Sequence, residues 1–390
     1  MFEVGARQGR ARAGVIRTAH GAVETPAFVP LASTATVKGL DASEVAALGY
    51  RMVLGNTFHL FLRPGHERIE RLGGLHRFMG WSGPIITDSG GFQVFSMGHG
   101  NVADEIKRSR GSRASEGRVL SIDEEGVRFR SYLDGRERFM GPETSMEVQA
   151  ALGADLALAF DECTPFHVSR DYTARSTERT HRWLERCVRW SERDGRPRLL
   201  YGIVQGGVHE DLREQSAAAT AAAGVQGVAI GGTLGRDKEQ MAAVVDWSVR
   251  PLPEELPRHL LGIGDPDDLV RMVRAGIDTF DCATPTRLGR HGTALVLDPA
   301  ARFRLDLTRS DCAESAEPIE ARCPCPACRS HTRAYLHHLA RSGELTGARL
   351  VTLHNLTFVA MLMERLRVAV AADRLDAVDD ELTRGALPYG

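Results

Sequence analysis

The sequence predicts an α/β protein built on a (β/α)8 barrel of the TIM type, with a smaller subdomain after the barrel. Two observations predict the barrel. Eight short apolar runs end in Gly, Asn, Gln or Asp, and helix-like stretches lie between them. The alternation favours a parallel sheet with helical crossovers, and eight repeats favour a closed barrel over an open doubly wound sheet. A cluster of cysteines beyond residue 300 predicts the subdomain.

The candidate strands are short and rich in apolar and β-forming residues. They comprise residues 28–30, 52–54, 84–87, 156–160, 199–204, 228–230, 260–263 and 277–280. The helix-like stretches comprise residues 41–48, 144–152, 175–190, 209–223, 238–249 and 266–275.

Polar residues and glycine follow several of these strands. They are Asn56, Asp88, Asp161, Gln205, Gly232 and Asp281. Because the carboxyl ends of barrel strands converge on one face, these residues are expected to line one pocket. A single polar residue after a strand is explained by helix capping or turn formation. Three aspartates in equivalent positions favour a site.

The interval between the third and fourth strands is the longest, and it predicts an insertion around residues 97–140. Within it, residues 127–140 alternate around Asp134-Gly135, which indicates a hairpin turn. Upstream lies a loop with five basic residues, Lys107, Arg108, Arg110, Arg113 and Arg118. This loop is either a solvated segment or a contact to a phosphate backbone.

The composition is that of an ordinary folded protein, with 43% hydrophobic and 26% charged residues. A net charge of -2 gives no global sign of nucleic-acid binding, so any such binding requires a local patch. No apolar run is expected to reach the roughly 18 to 20 residues that cross a bilayer. Residues 1–12 lack the apolar region of a secretory signal, so a cytoplasmic protein without membrane contact is expected.

Three of the seven cysteines, Cys323, Cys325 and Cys328, lie within six residues. They are close enough to bind one ion, and zinc is the natural candidate. Spacing leaves the fourth ligand open among the nearby imidazoles His331, His337, His338 and His354. A four-ligand site has no open position for water, so a structural role is expected. The remaining cysteines, Cys163, Cys187, Cys282 and Cys312, are interpreted as packing residues. Cys163 and Cys282 lie near the predicted pocket and could also have a role there.

The predicted organisation therefore has three parts. Residues 1–300 form the catalytic barrel, residues 301–365 form a zinc-binding subdomain packed on it, and residues 366–390 form a C-terminal helix and tail.

Taken together, the motifs resemble one known family, the bacterial tRNA-guanine transglycosylases, also called queuine tRNA-ribosyltransferases. The resemblance covers nearly the whole chain. Besides the cysteine cluster, its motifs are residues 25–30, 55–65, 87–96, 160–163, 202–207, 280–287 and 352–356.

This resemblance implies a pentosyltransferase that exchanges guanine at the wobble position, 34, of tRNAs with GUN anticodons (Asp, Asn, His and Tyr). The incoming base would be 7-aminomethyl-7-deazaguanine, on the pathway to queuosine. The resemblance also implies one structural zinc ion per subunit, His354 as its fourth ligand, and a homodimer.

Residue roles follow from the same resemblance. Asp281 is expected to be the nucleophile that forms a covalent ester with ribose, and Asp88 the proton acceptor and donor. The residues expected to bind the base are Phe92, Asp161, Gln205 and Gly232. Arg287 and Arg290 are expected to hold the anticodon strand.

One segment departs from the family pattern. Where the family reads Gly-Gly-Leu-Ser-Val-Gly-Glu, residues 231–236 read Gly-Gly-Thr-Leu-Gly-Arg. Loss of the Glu is expected to weaken recognition of an aminomethyl cation, so queuine is an alternative incoming base. Two other hypotheses are a non-catalytic tRNA-binding subunit of the family and a barrel glycoside hydrolase with a carboxylate pair.

Overall fold

The computed structural model describes residues 1–96 and 119–385. Its strands in this part of the chain are β1 (Phe2–Gln8), β2 (Ala11–Thr18), β3 (Gly21–Thr25), β4 (Ala27–Val29), β5 (Val53–Gly55), β6 (Ile85–Thr87), β7 (Val119–Ile122), β8 (Val127–Arg130), β9 (Glu137–Met140), β10 (Leu156–Leu158), β11 (Leu199–Val204), β12 (Gly227–Ile230), β13 (Arg258–Leu260), β14 (Thr279–Asp281), β15 (Thr293–Leu295) and β16 (Arg304–Asp306).

The α-helices in the same ranges are α1 (Ala42–Ala47), α2 (Thr57–Leu62), α3 (His66–Arg71), α4 (Gly74–Met79), α5 (Gly91–Ser96), α6 (Pro142–Leu152), α7 (Arg170–Asp194), α8 (Glu210–Ala222), α9 (Lys238–Val249), α10 (Pro266–Arg274), α11 (Thr284–Arg290), α12 (Pro326–Ser330), α13 (Arg333–Ser342), α14 (Leu345–Ala371) and α15 (Leu375–Thr383). A short 3-10 helix covers Ser310–Cys312.

Eight parallel strands form the central sheet, in the order β4, β14, β13, β12, β11, β10, β6 and β5. The ends of the sheet meet where Leu31 bridges Leu54. There the Leu54 amide donates to the Pro30 carbonyl at 3.0 Å, and the Ala32 amide donates to the Leu54 carbonyl at 2.7 Å. Closure removes both sheet edges and confirms the predicted barrel.

Each of the eight predicted strands corresponds to a barrel strand, and the largest discrepancy is at β13. The apolar run at residues 260–263 predicts a later strand than the observed one, because Arg258 and His259 are polar. Both are nevertheless buried in β13. The predicted helices lie within or overlap α1 and α6 to α10, although α7 extends beyond the predicted residues 175–190 at both ends.

An antiparallel sheet of β1, β2 and β3 covers the amino-terminal end of the barrel, and the sequence pattern does not indicate it. Its Ile16 and Val23 pack with the inward-facing barrel residues Val29, Leu158 and Tyr201. In β1 the exposure alternates between partly buried and exposed, so this strand lacks the apolar run that marks the barrel strands.

The predicted hairpin is confirmed. β8 and β9 pair in antiparallel fashion around Gly135, which has a φ of 69°, and β7 adds a third strand. Residues 97–118, including the predicted basic loop of Lys107, Arg108, Arg110, Arg113 and Arg118, lie outside the described residues.

The carboxyl-terminal elements share a core with the barrel. Leu356 and Leu366 of α14 belong to the same buried cluster as Phe280 of β14 and Leu269 of α10. The predicted domain boundary at residues 300/301 lies between the paired strands β15 and β16. The predicted boundary at residues 365/366 lies inside helix α14.

The expectation that no segment reaches the length and hydropathy of a membrane span is wrong for α14. This helix has 27 residues, and its most apolar window has a mean hydropathy of 1.2. That window is 67% buried inside the protein, which is the pattern of a core helix. Among the described residues, α14 is the one helix that meets the criteria.

Candidate active site

Barrel closure brings together polar groups at the carboxyl ends of β6, β10, β11, β12 and β14. Asp88 follows β6, Asp161 lies beyond β10, Gln205 follows β11, and Asp281 ends β14. The register pairs Asp281 with Val29, the last residue of β4, so it lies at the same mouth of the barrel. The predicted convergence of the three aspartates on one face is therefore seen.

Asp88 is held by the loop that follows β5. Its Oδ1 accepts a hydrogen bond from the Thr57 amide at 2.8 Å, and its Oδ2 accepts one from Asn56 Nδ2. The pKa of Asp88 is raised to about 7, mainly by removal from water and also by the negative charges of Asp281 and Asp161, against the opposing backbone hydrogen bonds. Asp88 can therefore exchange a proton near neutral pH.

Asp161 and Gln205 form a second polar unit. Asp161 Oδ1 accepts from the Ser89 hydroxyl at 2.7 Å, and Oδ2 accepts from Gln205 Nε2 at 2.6 Å. Burial raises the pKa of Asp161 to about 6, although these two hydrogen bonds lower it. Gln205 Oε1 is buried and has no hydrogen-bond partner among the described residues. A ligand with a suitable donor could satisfy this oxygen.

Two glycines make this unit possible. At Gly91, a Cβ atom would lie 2.5 Å from the Asp161 carbonyl oxygen and 2.9 Å from its Oδ1. At Gly232, which has a φ of +76°, a Cβ would lie 2.3 Å from Gln205 Oε1. Next to Gly91, the Phe92 ring is 41% exposed, so an aromatic face is available beside the polar groups.

Asp281 is aligned from inside the barrel. Its Oδ1 lies 3.1 Å from His259 Nε2 and accepts a hydrogen bond from the Gly262 amide at 3.4 Å. His259 is fully buried, and its Nδ1 lies 2.9 Å from Thr279 Oγ1. A carboxylate only accepts hydrogen bonds, so a neutral imidazole that donates to Asp281 carries its proton on Nε2, and its Nδ1 is then the acceptor for the Thr279 hydroxyl.

Arg287 and Arg290 lie on α11, which begins just after β14. Arg287 Nη2 donates to Thr284 Oγ1 at 3.3 Å. The pKa of Arg290 is lowered by partial burial and by the like charge of Arg287. Neither guanidinium pairs with a carboxylate of the described residues. Two cations beside the mouth of the barrel could therefore bind an anionic ligand.

The metal-binding prediction is supported by geometry. The Sγ atoms of Cys323, Cys325 and Cys328 and one ring nitrogen of His354 all lie within 4.8 Å of one another. His354 Nδ1 is 3.2 Å from Cys328 Sγ, and its Nε2 donates to the Leu295 carbonyl at 2.7 Å. That hydrogen bond leaves Nδ1 unprotonated and aimed at the sulfurs.

This cluster could hold a metal ion, and a Cys3His donor set suits zinc. Among the four imidazoles left open by spacing, His354 is the one in the cluster. His331 instead stacks on Tyr335, and His337 bonds the Leu307 carbonyl.

Two residues of the site region are not indicated by the sequence pattern. His259 lies within a strand, so no turn or strand end marks it. Arg213 lies on α8, where an arginine in a helix usually faces solvent, yet it is fully buried against the loops after β11 and β12.

Chemically, the mouth of the barrel offers a carboxyl group that titrates near neutral pH and a second carboxylate fixed by a histidine. It also offers a polar edge beside an exposed ring. This arrangement suits displacement at a carbon centre with proton transfer to and from a planar heterocycle.

Comparison with known proteins identifies relatives along nearly the full length. A family model described as "Queuine tRNA-ribosyltransferase" matches residues 7–386. A protein of that name from a Roseiflexus species is 49% identical over 385 residues, covering 96% of this chain and 96% of the relative. Others of that name come from Pelotomaculum thermopropionicum, 48% identical with 96% and 95% covered, and from Thermus thermophilus, 46% identical with 98% and 93% covered.

Proposed function

The chain belongs to the queuine tRNA-ribosyltransferase family, and on that premise we propose that it replaces guanine at the wobble position, 34, of tRNA by a 7-deazaguanine. It is thus a tRNA-guanine transglycosylase, a pentosyltransferase. The proposed substrates are the tRNAs with GUN anticodons, those for Asp, Asn, His and Tyr. The observation that carries the proposal is the approach of Asp88 and Asp281 at one mouth of the barrel.

In the proposed first step, Asp281 attacks C1′ of the ribose at position 34. A bond forms between a carboxylate oxygen and C1′, and the bond from C1′ to N9 of guanine breaks. Its electron pair leaves with guanine, which takes a proton from Asp88. The hydrogen bond from His259 supports this role, because it fixes the carboxylate that must attack.

In the second step, Asp88, now a carboxylate, takes the N9 proton of the incoming base. N9 attacks C1′ and releases Asp281, so one proton enters and one leaves in each cycle. The pKa of about 7 at Asp88 supports both directions of transfer. The presence of both carboxylates favours an active enzyme over a non-catalytic family subunit.

The flipped base is proposed to stack on Phe92 and to meet Asp161, Gln205 and the backbone of Gly232 at its edge. Asp161 can accept from the amino and ring N–H groups of a guanine-like edge. The unpartnered Oε1 of Gln205 supports the assignment, because the buried oxygen lacks a donor among the described residues of the free protein.

Arg287 and Arg290 are proposed to bind the anticodon strand, since both cations lie on α11 beside Asp281 without carboxylate partners among the described residues. A homodimer is part of the proposal, and light scattering of the purified protein tests it. The Cys3His cluster is proposed to bind one structural zinc ion, which would tie α12 to α14 and would take no part in the chemistry.

The incoming base is proposed to be 7-aminomethyl-7-deazaguanine. Queuine is the second candidate, and one observation favours it: the loop after β12 carries the exposed Arg236 and contains no carboxylate between Gly231 and Arg236. Such a loop offers no carboxylate that could pair with a cationic aminomethyl group.

The test supplies tRNA carrying labelled guanine at position 34 together with either base. Label should be released, and mass spectrometry of the nucleosides identifies the base that entered. Asp281→Ala should abolish release and covalent trapping, whereas Asp265→Asn, at a half-buried aspartate of the neighbouring loop that pairs with Arg304, should leave both intact. Full activity of Asp281→Ala would refute the nucleophile assignment.

A further inference from the structure

Arg213 is a buried cation with no carboxylate partner among the described residues. It lies on α8 and is fully inaccessible to solvent, and burial lowers its pKa to about 10. Burying a charge is costly unless it is well hydrogen-bonded. An unpaired arginine in this position therefore calls for an explanation beyond packing.

Four backbone carbonyls provide the compensation. Arg213 Nε donates to the Gly207 oxygen at 2.8 Å, and Nη1 donates to those of Val204 and Gly231 at 3.1 and 2.9 Å. Nη2 donates to the Thr233 oxygen at 2.9 Å. The Val204 carbonyl ends β11 and the other three belong to the loops after β11 and β12, so one guanidinium joins the two loops.

The two loops carry Gln205 and Gly232, the groups proposed to meet the edge of the base. In a planar trans peptide, the N–H points opposite to the preceding carbonyl. Because the Gly231 carbonyl faces Arg213, the Gly232 N–H is turned away from it and faces the Cys163 sulfur, two residues beyond Asp161. Arg213 thus sets the direction of a backbone donor beside the base-binding carboxylate.

Close packing makes the spacing of the two loops critical. The Cβ position of Gly232 lies 2.3 Å from Gln205 Oε1 and 3.5 Å from Arg213 Nη2. A small displacement of the β12 loop would therefore change the room available beside the Gln205 amide. Lysine cannot reproduce the arrangement, since its ammonium has three donors at one point instead of five in a planar fork.

We infer that Arg213 is a positioning residue that fixes the base-recognition edge of the pocket and thereby sets the affinity for the incoming base. The inference rests on the proposed function. Arg213 itself touches no substrate and acts through the carbonyls of Gly231 and Thr233.

The experiment compares Arg213→Lys with a matched control, Arg258→Lys. Arg258 is also a buried arginine whose pKa burial lowers to about 10, and it bonds the carbonyls of Gly276 and Leu252. It begins β13, at the end of the barrel away from the pocket. Any general cost of losing a buried guanidinium should appear in both variants.

Arg213→Lys should raise the KM for the incoming base by about tenfold, the cost of one or two lost charge-assisted hydrogen bonds. Its kcat at saturating base should stay within about threefold of the value for the unsubstituted protein. Arg258→Lys should lower Tm comparably and leave the base KM unchanged. An equal rise in base KM in both variants would overturn the inference.

Two further measurements separate this inference from the proposed function. Calorimetric titration of the free base measures affinity without turnover, so it still reports on Arg213 if no exchange occurs. If Arg213→Lys fails to fold, amide hydrogen exchange of the unsubstituted protein tests the inference instead. In the absence of base, the amides of residues 231–235 should exchange nearly as slowly as those of β12. Exchange of this segment at the rate of an unstructured peptide would contradict the inference.

Discussion

His259 Nε2 lies 3.1 Å from Asp281 Oδ1, and the Thr279 hydroxyl lies 2.9 Å from Nδ1 on the far side of the imidazole. The three residues form a short hydrogen-bonded chain inside the barrel, and neither His259 nor Thr279 is marked by a local motif. The carboxylate proposed as the nucleophile is therefore oriented before substrate binds.

His259→Phe should therefore slow formation of the covalent adduct about 10- to 100-fold, because a hydrogen bond to a charged group is lost. His259→Gln keeps a donor and should recover much of the rate, and Thr279→Val should give a smaller loss. Single-turnover trapping of the ribose adduct measures all three. An unchanged trapping rate in His259→Phe would show that Asp281 needs no alignment from this side.

The pKa of about 7 at Asp88 predicts opposite pH dependence for the two half-reactions. Release of guanine needs the protonated acid, so its rate should fall as pH rises above about 7. Reaction of the adduct with incoming base needs the carboxylate, so its rate should fall as pH drops below about 7.

Rapid-quench measurement of each half-reaction from about pH 5.5 to about pH 8.5 checks this expectation. In Asp88→Asn, both half-reactions should lose this pH dependence and should be slower by at least about 100-fold. If the rates of both half-reactions changed in the same direction with pH, a single carboxyl group that serves as both acid and base would be ruled out.

Asp155 anchors the amino-terminal sheet to the barrel. It accepts from His20 Nδ1 at 2.8 Å and from the Ile85 amide at 2.9 Å, and it lies 3.3 Å from His76 Nε2. Burial alone would raise the pKa of Asp155, but the hydrogen bonds from His76, His20 and Ile85 outweigh burial and lower it.

Asp155→Asn should lower the free energy of unfolding by about 2–3 kcal/mol at pH 7. Because the pKa of Asp155 is lower in the folded protein than its unfolded value of about 3.9, the ionised side chain stabilises the fold at pH values above about 3.9. This stabilisation is lost as the pH falls through the pKa of the folded protein. Urea unfolding should therefore show a smaller difference in the free energy of unfolding between Asp155→Asn and the unsubstituted protein at acidic pH than at pH 7. The exposed Asp171→Asn serves as control, and a gap that stays constant with pH would exclude a stabilising carboxylate.

The Cys3His cluster leads to a metal-content prediction. The purified protein should contain about one zinc ion per chain. Cys325→Ser and His354→Ala should lose it and melt several degrees lower, because metal binding contributes to folding. Cys312→Ser removes a buried cysteine outside the cluster and should keep the metal. Elemental analysis decides, and full zinc content in the cluster variants would reject these ligands.

The barrel was predictable because its strands are marked locally. Each is a short apolar run followed by a polar residue or glycine, and burial on both faces of a parallel sheet selects for such runs. The hairpin at Asp134-Gly135 and the three clustered cysteines are equally local signals. The N-terminal sheet is different, because β1 alternates between partly buried and exposed residues and β2 and β3 contain no continuous buried apolar run.

Within the candidate site, the same distinction holds. Asp88 and Gln205 directly follow strands, where position alone indicates a shared face. Arg213 looks like any helical arginine in the sequence. Its four carbonyl partners come from the end of β11 and from the loops after β11 and β12, which the pairing of these two strands brings together.

The amino-acid sequence by itself determined the order of strands and helices, the family motifs and the three clustered cysteines that could hold a metal ion, since these depend on neighbours within a few residues. The tertiary structure decided which imidazole completes the cluster, which histidine orients Asp281 and which arginine joins the recognition loops. Those partners are distant in the chain, and their side-chain directions are set by strand register and close packing, which no local pattern encodes.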